Sequence, residues 1–250
     1  VGYGITGNQR IPSFQYLKRY QLSQNSSSYP IGGSLVSGMW VSDYNNDNVK
    51  WEQVKSLNLG LDFSLLEGKI DGTFDWYNKK TSDMLFALPL TATAAGRGNS
   101  PYINIGDMQN KGIEFSLNYH HQQKDPDKFN FDLGVNFSKN KNEIISLAPG
   151  VDEVVYGAFR SMETSIMRKG QPFGAFYGFK VAGIYQNADE LTKYPGYTDA
   201  RVGGFRFEDV NNDGVIDAND RTIIGSPHPD FTYSLNFNAT YKNFDLMMYF

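Results

Sequence analysis

The sequence has no cysteine, no long apolar run and no strong excess of charge of one sign. Without cysteine, the chain can form neither a disulfide framework nor a thiolate metal site. No apolar run approaches the ~18 residues that indicate a transmembrane helix. The net charge is −4 and acidic and basic residues are mixed along the chain, so the sequence has no basic footprint for nucleic acid.

Aromatic residues and glycine are plentiful: 15% of the residues are Phe, Trp or Tyr, and 25 are Gly. Aromatic residues are enriched in strands, so this composition favours a β-rich protein. The clearest strand signal is a hairpin from Leu57 to Asn78 with its turn at Glu67-Gly68. Its apolar residues alternate with polar ones; they are Leu57, Leu59, Leu61, Phe63, Leu65, Ile70, Phe74 and Trp76. Because side chains alternate faces along a strand, one face of the hairpin is apolar and the other is polar.

The same alternation returns in four further segments, 113–119, 129–137, 233–241 and 244–250. The predicted strands run to about nine or ten residues, the length that crosses a bilayer at a tilt. A soluble antiparallel sheet with its apolar face on a core shows this alternation too. In a transmembrane β-barrel the apolar face meets lipid and the polar face lines the lumen.

The predicted connections alternate between short and long. Short turns are predicted at 67–68, 120–128 and 242–243, and long connections at 79–110 and 139–229. Short turns at one end of the strands and long loops at the other are the arrangement of outer-membrane barrels, whose long loops are extracellular. A soluble β-sandwich would not ordinarily need every connection on one side to be long. The pattern therefore favours the membrane barrel.

Five stretches of the chain carry a resemblance to a known family. They are YGITGNQRI, WEQVKSLNLGLDFSLLEGKIDGTFDWYNKKTSDML, NIGDMQNKGIEFSLNY, GQPFGAFYGFKVAGIYQNADE and FRFEDVNNDGVIDANDRTIIGSPHPDFTYSLNFNATYKNFDL. In this order they resemble the C-terminal barrel portion of the SusC/RagA-type TonB-dependent outer-membrane transporters of the Bacteroidetes. Each stretch alone is a weak signal, but together they cover most of the chain.

The resemblance implies an all-β fold, an antiparallel transmembrane β-barrel of 22 strands with long extracellular loops. Residues 1–250 would be a segment of that barrel, and the plug domain and the final strands would lie outside it. The resemblance further implies that the protein lies in the lipid of a Gram-negative outer membrane. TonB would supply energy through the missing N-terminal region, and a SusD-like surface lipoprotein would act as a lid. The implied cargo is an oligosaccharide or a peptide. The implied protein is not an enzyme and has neither an organic cofactor nor a nucleic-acid partner.

One motif carries chemistry of its own, the acidic loop from Asp209 to Asp220. Oxygen-bearing side chains stand at positions 1, 3, 5, 9 and 12 of this loop, namely Asp209, Asn211, Asp213, Asp217 and Asp220. Gly214 stands at position 6, and the carbonyl of Val215 is available at position 7. Calcium takes 6–8 oxygen ligands around a sharp turn, so this spacing predicts a structural Ca²⁺ site. Asp220 replaces the usual Glu, and the alternative is an Asx-rich turn whose side chains cap their own backbone.

No set of residues argues for catalysis. No His is placed to activate a serine, and His120 falls on a predicted solvated turn. The Asp71 and Asp75 carboxylates on one strand face fit a polar lumen lining better than a glycoside-cleaving pair. Loop aromatics such as Tyr177 and Tyr197 could stack on sugar rings or pack the loop, and we assign neither to a site.

Three function classes follow from these patterns. The leading one is a transporter segment whose polar lumen face passes a large solute. The alternative is a soluble or surface all-β glycan-binding module with a calcium-stabilised loop. A β-rich hydrolase is the third, and the chain lacks a catalytic constellation for it. Detergent dependence separates the first class from the others, because an outward band of Leu, Ile and Phe would be an exposed apolar patch in water.

Overall fold

The computed structural model describes residues 1–8, 11–23, 28–88, 98–123, 125, 127–159 and 162–250 of the protein. These residues form two compact units. Unit 1 consists of Val1–Gly150 and Pro229–Phe250, and unit 2 consists of Val151–His228. Both units are built mainly of antiparallel strands, as the sequence predicts.

The elements follow one another in chain order. Unit 1 begins with β1 (Gly2–Asn8), β2 (Arg19–Ser23), β3 (Tyr29–Ile31), β4 (Ser34–Val36), β5 (Gly38–Asp43), β6 (Glu52–Leu65), β7 (Ile70–Ala87), β8 (Tyr102–His121) and β9 (Asn130–Leu147). Unit 2 contains β10 (Glu153–Phe159), β11 (Met162–Arg168), β12 (Ala175–Phe179), β13 (Val181–Ile184), helix α1 (Ala188–Lys193), β14 (Phe205–Phe207), a 3₁₀ turn (Ala218–Asp220) and β15 (Arg221–Gly225). The chain returns to unit 1 with β16 (Thr232–Tyr241) and β17 (Phe244–Tyr249).

A seven-stranded sheet dominates unit 1, with the order β1-β6-β7-β8-β9-β16-β17. Its strands therefore neighbour one another in the order in which they occur along the chain, and every pair is antiparallel. The predicted hairpin is confirmed, because β6 and β7 pair as far as Leu65 opposite Ile70. In its turn Glu67 and Gly68 adopt the left-handed backbone conformation, with φ angles of 58° and 82°. Two small ribbons, β2-β5 and β3-β4, belong to the connection between β1 and β6.

The pairing registers align the apolar residues in rows across the strands. One row consists of Leu61, Phe74, Phe115, Phe137 and Tyr233, each directly opposite the next. The adjacent row is polar and consists of Asp62, Thr73, Ser116, Asn136 and Ser234. Consecutive side chains point to opposite faces, so the sheet has one apolar and one polar face across these strands. We call the apolar surface of 57–65, 70–76, 113–119, 131–137 and 233–241 the apolar band.

The strands are longer than the alternation predicts. β6, β7, β8 and β9 have 14, 18, 20 and 18 residues. The segments 79–87, 102–110 and 139–147, predicted to be parts of long connections, are paired strand. The prediction is wrong there because runs such as YNKKTSD and KNKNE have polar residues at consecutive positions, which removes the two-residue period.

Register breaks occur near the ends of these strands that lead to the long connections. The pairing of β7 with β8 shifts beyond Thr81, and that of β8 with β9 shifts beside Met108. Gly106 lies at these breaks with a φ of 154°, and a Cβ there would be 2.0 Å from the carbonyl oxygen of Ser146. The close approach of the β8 and β9 backbones therefore requires a glycine at position 106. Three apolar side chains of this region are buried: Met84, Ile105 and Ile144.

A glycine also makes room for a large neighbour on the polar face. Gly112 of β8 is opposite Tyr77 of β7, and a Cβ at Gly112 would be 2.6 Å from the phenol oxygen. The Tyr77 hydroxyl donates a hydrogen bond to Asn140 Oδ1 on β9 at 3.1 Å. The tyrosine side chain thus reaches over one strand to bond with the next, which ties three strands together.

Unit 2 contains a four-stranded sheet, β10-β11-β12-β15, and the ribbon β13-β14. Its buried apolar residues are Val154, Ile166, Met167, Ala175, Tyr185 and Ile216. The Tyr185 hydroxyl donates a hydrogen bond to the Pro195 carbonyl at 2.9 Å. The connection between β9 and β16, predicted as a long loop, therefore contains a folded unit with its own core.

No helix among the described residues is long and apolar enough to cross a membrane.

Candidate functional site

The polar face of the main sheet carries a network of amide and hydroxyl groups. Asn136 Nδ2 donates a hydrogen bond to Ser234 Oγ at 3.0 Å, across the boundary between β9 and β16. Asn142 Nδ2 donates to Asn110 Oδ1 at 2.8 Å, across the boundary between β8 and β9. Because these bonds join side chains of adjacent strands, they hold the polar groups of the face in defined orientations.

A shallow depression of about 530 Å³ lies among these polar side chains. Its polar lining consists of Thr73, Asp75, Glu114, Ser116, Asn136, Ser138, Thr232 and Ser234. Hydroxyl, amide and carboxylate groups together supply both donors and acceptors. A surface of this kind can bind the hydroxyl groups of a sugar or the peptide groups of an extended chain.

The polar face is acidic. Its carboxylates, as the pairing registers place them, are Asp62, Asp71, Asp75, Glu114, Asp132 and Asp245. Lys79 projects from the same face, where its ammonium lies 5.1 Å from the centroid of the Tyr77 ring. Asp71 and Asp75, which the sequence predicts to line the lumen, both lie on this face. The summed charge favours neutral or cationic solutes over anionic ones.

His120 is a residue of this face that the sequence reasoning missed. It belongs to β8, which continues to His121, so the prediction of a solvated turn at His120 is wrong. Its Nδ1 lies 2.6 Å from Asp132 Oδ1, and its Nε2 lies 3.4 Å from Asp71 Oδ2. His120 is directly opposite Asp132 in the register of β8 with β9. Only the register, which depends on the length of the turn, could have revealed this cluster.

In unit 2 the acidic loop folds around its own backbone amides. Asp209 accepts hydrogen bonds from the amides of Asp213 at 3.2 Å and Gly214 at 2.8 Å. Asn211 Oδ1 accepts from the Asp213 amide at 3.0 Å, and Asp213 Oδ1 accepts from the Val215 amide at 2.9 Å. Gly214 has a φ of 85°, which permits the sharp turn. These are the bonds that the Asx-rich interpretation of the motif predicts.

The last acidic residues of the loop form a capping box at the 3₁₀ turn. Asp217 Oδ1 accepts a hydrogen bond from the Asn219 amide at 2.7 Å, and Asp220 Oδ2 accepts from the Asp217 amide at 2.9 Å. Asp220 Oδ1 accepts from the Val210 amide at 2.8 Å, and the residue is fully buried. These amide bonds, with that from Asp217 the strongest, hold the pKa of the Asp220 carboxyl below its ordinary value of 3.8.

These contacts bear on the predicted calcium site. Both oxygens of Asp220 bind backbone amides, so this residue does not fit as a calcium ligand in this conformation. Asp209, Asp213 and Asp217 are partly or fully exposed, and a carboxylate has lone pairs beyond one bond per oxygen. In the part of the chain that the structure describes, no group of three or more His, Asp or Glu side chains is arranged to hold a metal ion. Calcium binding stays a prediction.

Unit 2 also has a largely apolar pocket of about 400 Å³. Its aromatic lining consists of Tyr177, Phe179, Tyr197 and Phe207. The Phe179 centroid lies 5.4 Å from that of Tyr197 and 5.2 Å from that of Phe207. The Arg221 guanidinium lies 4.6 Å from the centroid of the Tyr177 ring. The rings therefore pack against one another, although Tyr197 stays 41% exposed.

The sequence matches a family model described as TonB dependent receptor-like, beta-barrel, over residues 5–248. The chain belongs to this family. The match takes in nearly all of the main sheet and all of unit 2, so the folded insertion is part of the TonB-dependent receptor pattern. The resemblance deduced from the sequence motifs is thereby confirmed.

Relatives among the TonB-dependent receptors cover all or nearly all of this chain. TonB-dependent receptor P3 of Formosa agariphila is 38% identical over 259 residues, which cover 100% of this chain and 25% of the relative. TonB-dependent receptor SusC of Bacteroides thetaiotaomicron is 33% identical over 248 residues, which cover 98% of this chain and 24% of the relative. The chain thus spans about a quarter of the length of these receptors.

Solved structures show the same fold. The RagAB peptide transporter has a TM-score of 0.72 at 24% identity, over 99% of this chain and 25% of that chain. The RagAB peptide importer in the 'closed-closed' state has a TM-score of 0.72 at 25% identity, over the same shares. The predicted antiparallel transmembrane barrel is therefore confirmed as the fold class of this TonB-dependent receptor segment.

Proposed function

We propose that the chain forms part of the wall of a TonB-dependent outer-membrane transporter of the SusC/RagA type, which imports oligosaccharides or peptides. One observation carries this proposal: the continuous apolar rows on one face of the main sheet, with polar rows on the other. That arrangement is what a barrel wall between lipid and an aqueous lumen requires. The family membership and the likeness to SusC and RagAB support it.

The exposure of the apolar band supports a membrane location. Leu61 is 60% exposed, Phe74 is 41% exposed and Tyr233 is 71% exposed. Monomeric soluble proteins rarely expose large contiguous apolar patches to water. Lipid removes this penalty, since full burial of one such side chain contributes about 1.5–3 kcal/mol. The alternative, a glycan-binding module in water, leaves the band without a partner.

The polar face supports a cargo that is neutral or cationic and rich in hydrogen-bonding groups. Asp75 and Glu114 are directly opposite each other in the register of β7 with β8 and both line the depression of the polar face. Two carboxylates in such proximity disfavour anionic solutes and attract cationic ones. A neutral oligosaccharide or a peptide with basic side chains fits these groups.

The proposed partners are TonB, which would supply energy from the periplasmic side, and a SusD-like surface lipoprotein, which would act as a lid. The likeness to SusC and to the RagAB importer supports both partners. The long connections between the strands are the segments that would face such a lid, because the long loops of outer-membrane barrels are extracellular.

The test is an uptake assay in cells that lack the complete receptor gene. We expect energised uptake of a labelled neutral oligosaccharide or a labelled basic peptide to be lost, and to return with a plasmid copy. A protonophore should abolish the same uptake, because TonB-dependent transport needs the proton gradient. A tagged receptor should co-purify with a surface lipoprotein. Unchanged energised uptake of every probe after deletion would contradict the proposal.

A pair of lumen variants tests the contribution of the polar face. The double change Asp75→Asn and Glu114→Gln should lower uptake of a basic peptide relative to a neutral one of equal length, because two negative charges are removed. Ser116→Ala, on the same face, is the control and should change the two rates equally. A basic peptide that enters the double variant as well as the wild type would refute this role of the two carboxylates.

A further inference from the structure

A belt of five exposed lysines borders the apolar band on the side of the long connections. It consists of Lys55, Lys80, Lys111, Lys139 and Lys141, which we call the lysine belt. Each belt residue is an even number of positions from a member of the apolar band on its own strand, for example Lys55 from Leu57 and Lys139 from Phe137. Side chains at such spacing share a face, so the belt lies on the outer surface and not on the polar face.

Strand pairing sets these lysines directly against one another. Lys55 of β6 is opposite Lys80 of β7, and Lys111 of β8 is opposite Lys141 of β9. Like charges directly opposite each other destabilise an antiparallel pair. The sheet repeats this unfavourable pairing in two successive rows. An anion beside Lys55 and Lys111 would offset this repulsion and add to the carboxylate contacts of Lys80 and Lys141.

Neighbouring carboxylates neutralise only part of the belt. Lys80 Nζ lies 2.9 Å from Asp107 Oδ2, and Lys141 Nζ lies 2.6 Å from Glu143 Oε2. The other three lysines, Lys55, Lys111 and Lys139, form no ion pair with any residue that the structure describes. The belt therefore keeps a net positive charge beside the apolar band.

We propose that the lysine belt binds the phosphate groups of glycolipid headgroups in the outer leaflet of the membrane. The belt begins where the apolar band ends, on the side of the long connections, and this is the depth at which outer-leaflet headgroups lie. Lysine binds phosphate through charge-assisted hydrogen bonds, and basic residues beside a membrane attract anionic lipid. A cargo in the lumen does not reach this surface. The inference rests on the outward orientation of the band and goes beyond the proposed transport.

The experiment uses the complete receptor in detergent, titrated with phosphorylated lipid A and, in parallel, with enzymatically dephosphorylated lipid A. Bound lipids are counted by native mass spectrometry. The test variant replaces Lys55, Lys111 and Lys139 by Gln. Each lysine near an anionic surface contributes roughly fivefold in affinity, so we expect the triple variant to bind phosphorylated lipid A on the order of a hundredfold more weakly. Dephosphorylated lipid A should bind weakly to both proteins.

The matched control replaces Lys69, Lys128 and Lys242 by Gln. These exposed lysines lie on the short turns at the opposite ends of the strands, so the same change in charge should leave lipid A binding unaltered. A second variant with Arg at the three belt positions should keep the affinity. Without phosphorylated lipid, the Gln variant of the belt should be at least as thermally stable as the wild type, because it removes two like-charge pairs.

Four outcomes would overturn the proposal. They are equal affinity for the two forms of lipid A, unchanged affinity in the belt variant, an equal loss in the control variant, and binding of inorganic phosphate as tight as that of phosphorylated lipid A. The last result would indicate a general anion site in place of a lipid site. Uptake of cargo in the receptor-deletion cells, with the belt variant supplied on the plasmid, separates this inference from the transport proposal.

Discussion

The orientation of the main sheet makes a quantitative prediction for Leu61→Arg. Leu61 stands midway along the apolar stretch of β6, four residues from both Leu57 and Leu65, and is 60% exposed. At about 3.4 Å per residue and a tilt of about 45°, it lies roughly 10 Å from each border of the apolar band. An arginine at this depth is unfavourable by about 2–4 kcal/mol. This corresponds to roughly a 30-fold to 700-fold shift away from the assembled barrel.

The assay is the amount of complete receptor in purified outer membranes. An immunoblot of unheated and heated samples separates folded from unfolded receptor by mobility. We expect Leu61→Arg to remove most of the folded form. The free-energy cost of an arginine also depends on its depth in the membrane, and Leu65 lies at the border of the band next to the short turn. Leu65→Arg should therefore be unfavourable by only about 0–1 kcal/mol.

Asp62→Arg is the matched control, because Asp62 is the next residue of the same strand and projects from the polar face. It should leave the amount of folded receptor close to that of the wild type. Equal losses from Leu61→Arg and Asp62→Arg would show that the faces are assigned wrongly. Equal losses from Leu61→Arg and Leu65→Arg would show that the lipid depth inferred for β6 is wrong.

Three further predictions concern the strand ends and the acidic loop. Gly106→Ala should destabilise the ends of β7, β8 and β9 by about 1–3 kcal/mol, seen as faster amide exchange, whereas Gly2→Ala, with nothing within 4 Å, should have no such effect. The pKa of Asp220 is lowered, so its carboxylate stabilises unit 2 above pH 3.8 and this stabilisation is lost as the pH falls through the lowered pKa. Asp220→Asn should therefore lower the thermal stability at neutral pH and flatten its decline in acid, and an unchanged profile would contradict this. If the loop binds calcium, titration calorimetry of the complete receptor should detect the heat of binding, and Asp209→Ala should abolish this heat. The absence of heat from the wild type would refute the calcium site.

The sequence predicted those parts of the fold in which one face is apolar and the other polar. Leu61 and Phe74 lie in one row, as their alternation indicates, and the turn at Glu67-Gly68 is where it was expected. The prediction ends where the apolar band ends. Beyond it, both faces of a strand are polar, and hydrogen bonding between backbones continues the strand without any periodic signal in the side chains.

The candidate site was less predictable because it depends on pairing between strands. The side chains of His120 and Asp132 meet because β8 and β9 are in one particular register, which the turn between them sets. The strands of unit 2 have only three to seven residues, too few for the alternation of faces to stand out. For the acidic loop, the spacing of the acidic residues fits calcium ligands and Asx turns equally well, so the sequence alone does not distinguish them.

The position of unit 2 in the chain has a consequence for how such a receptor can diversify. It is inserted between β9 and β16, which pair directly from Ser138 opposite Thr232 to Asn130 opposite Thr240. Insertions are tolerated where their ends are exposed, and the entropy of closing a loop grows only slowly with its length. Residues 151–228 can therefore vary in length and sequence while β9 and β16 keep their register.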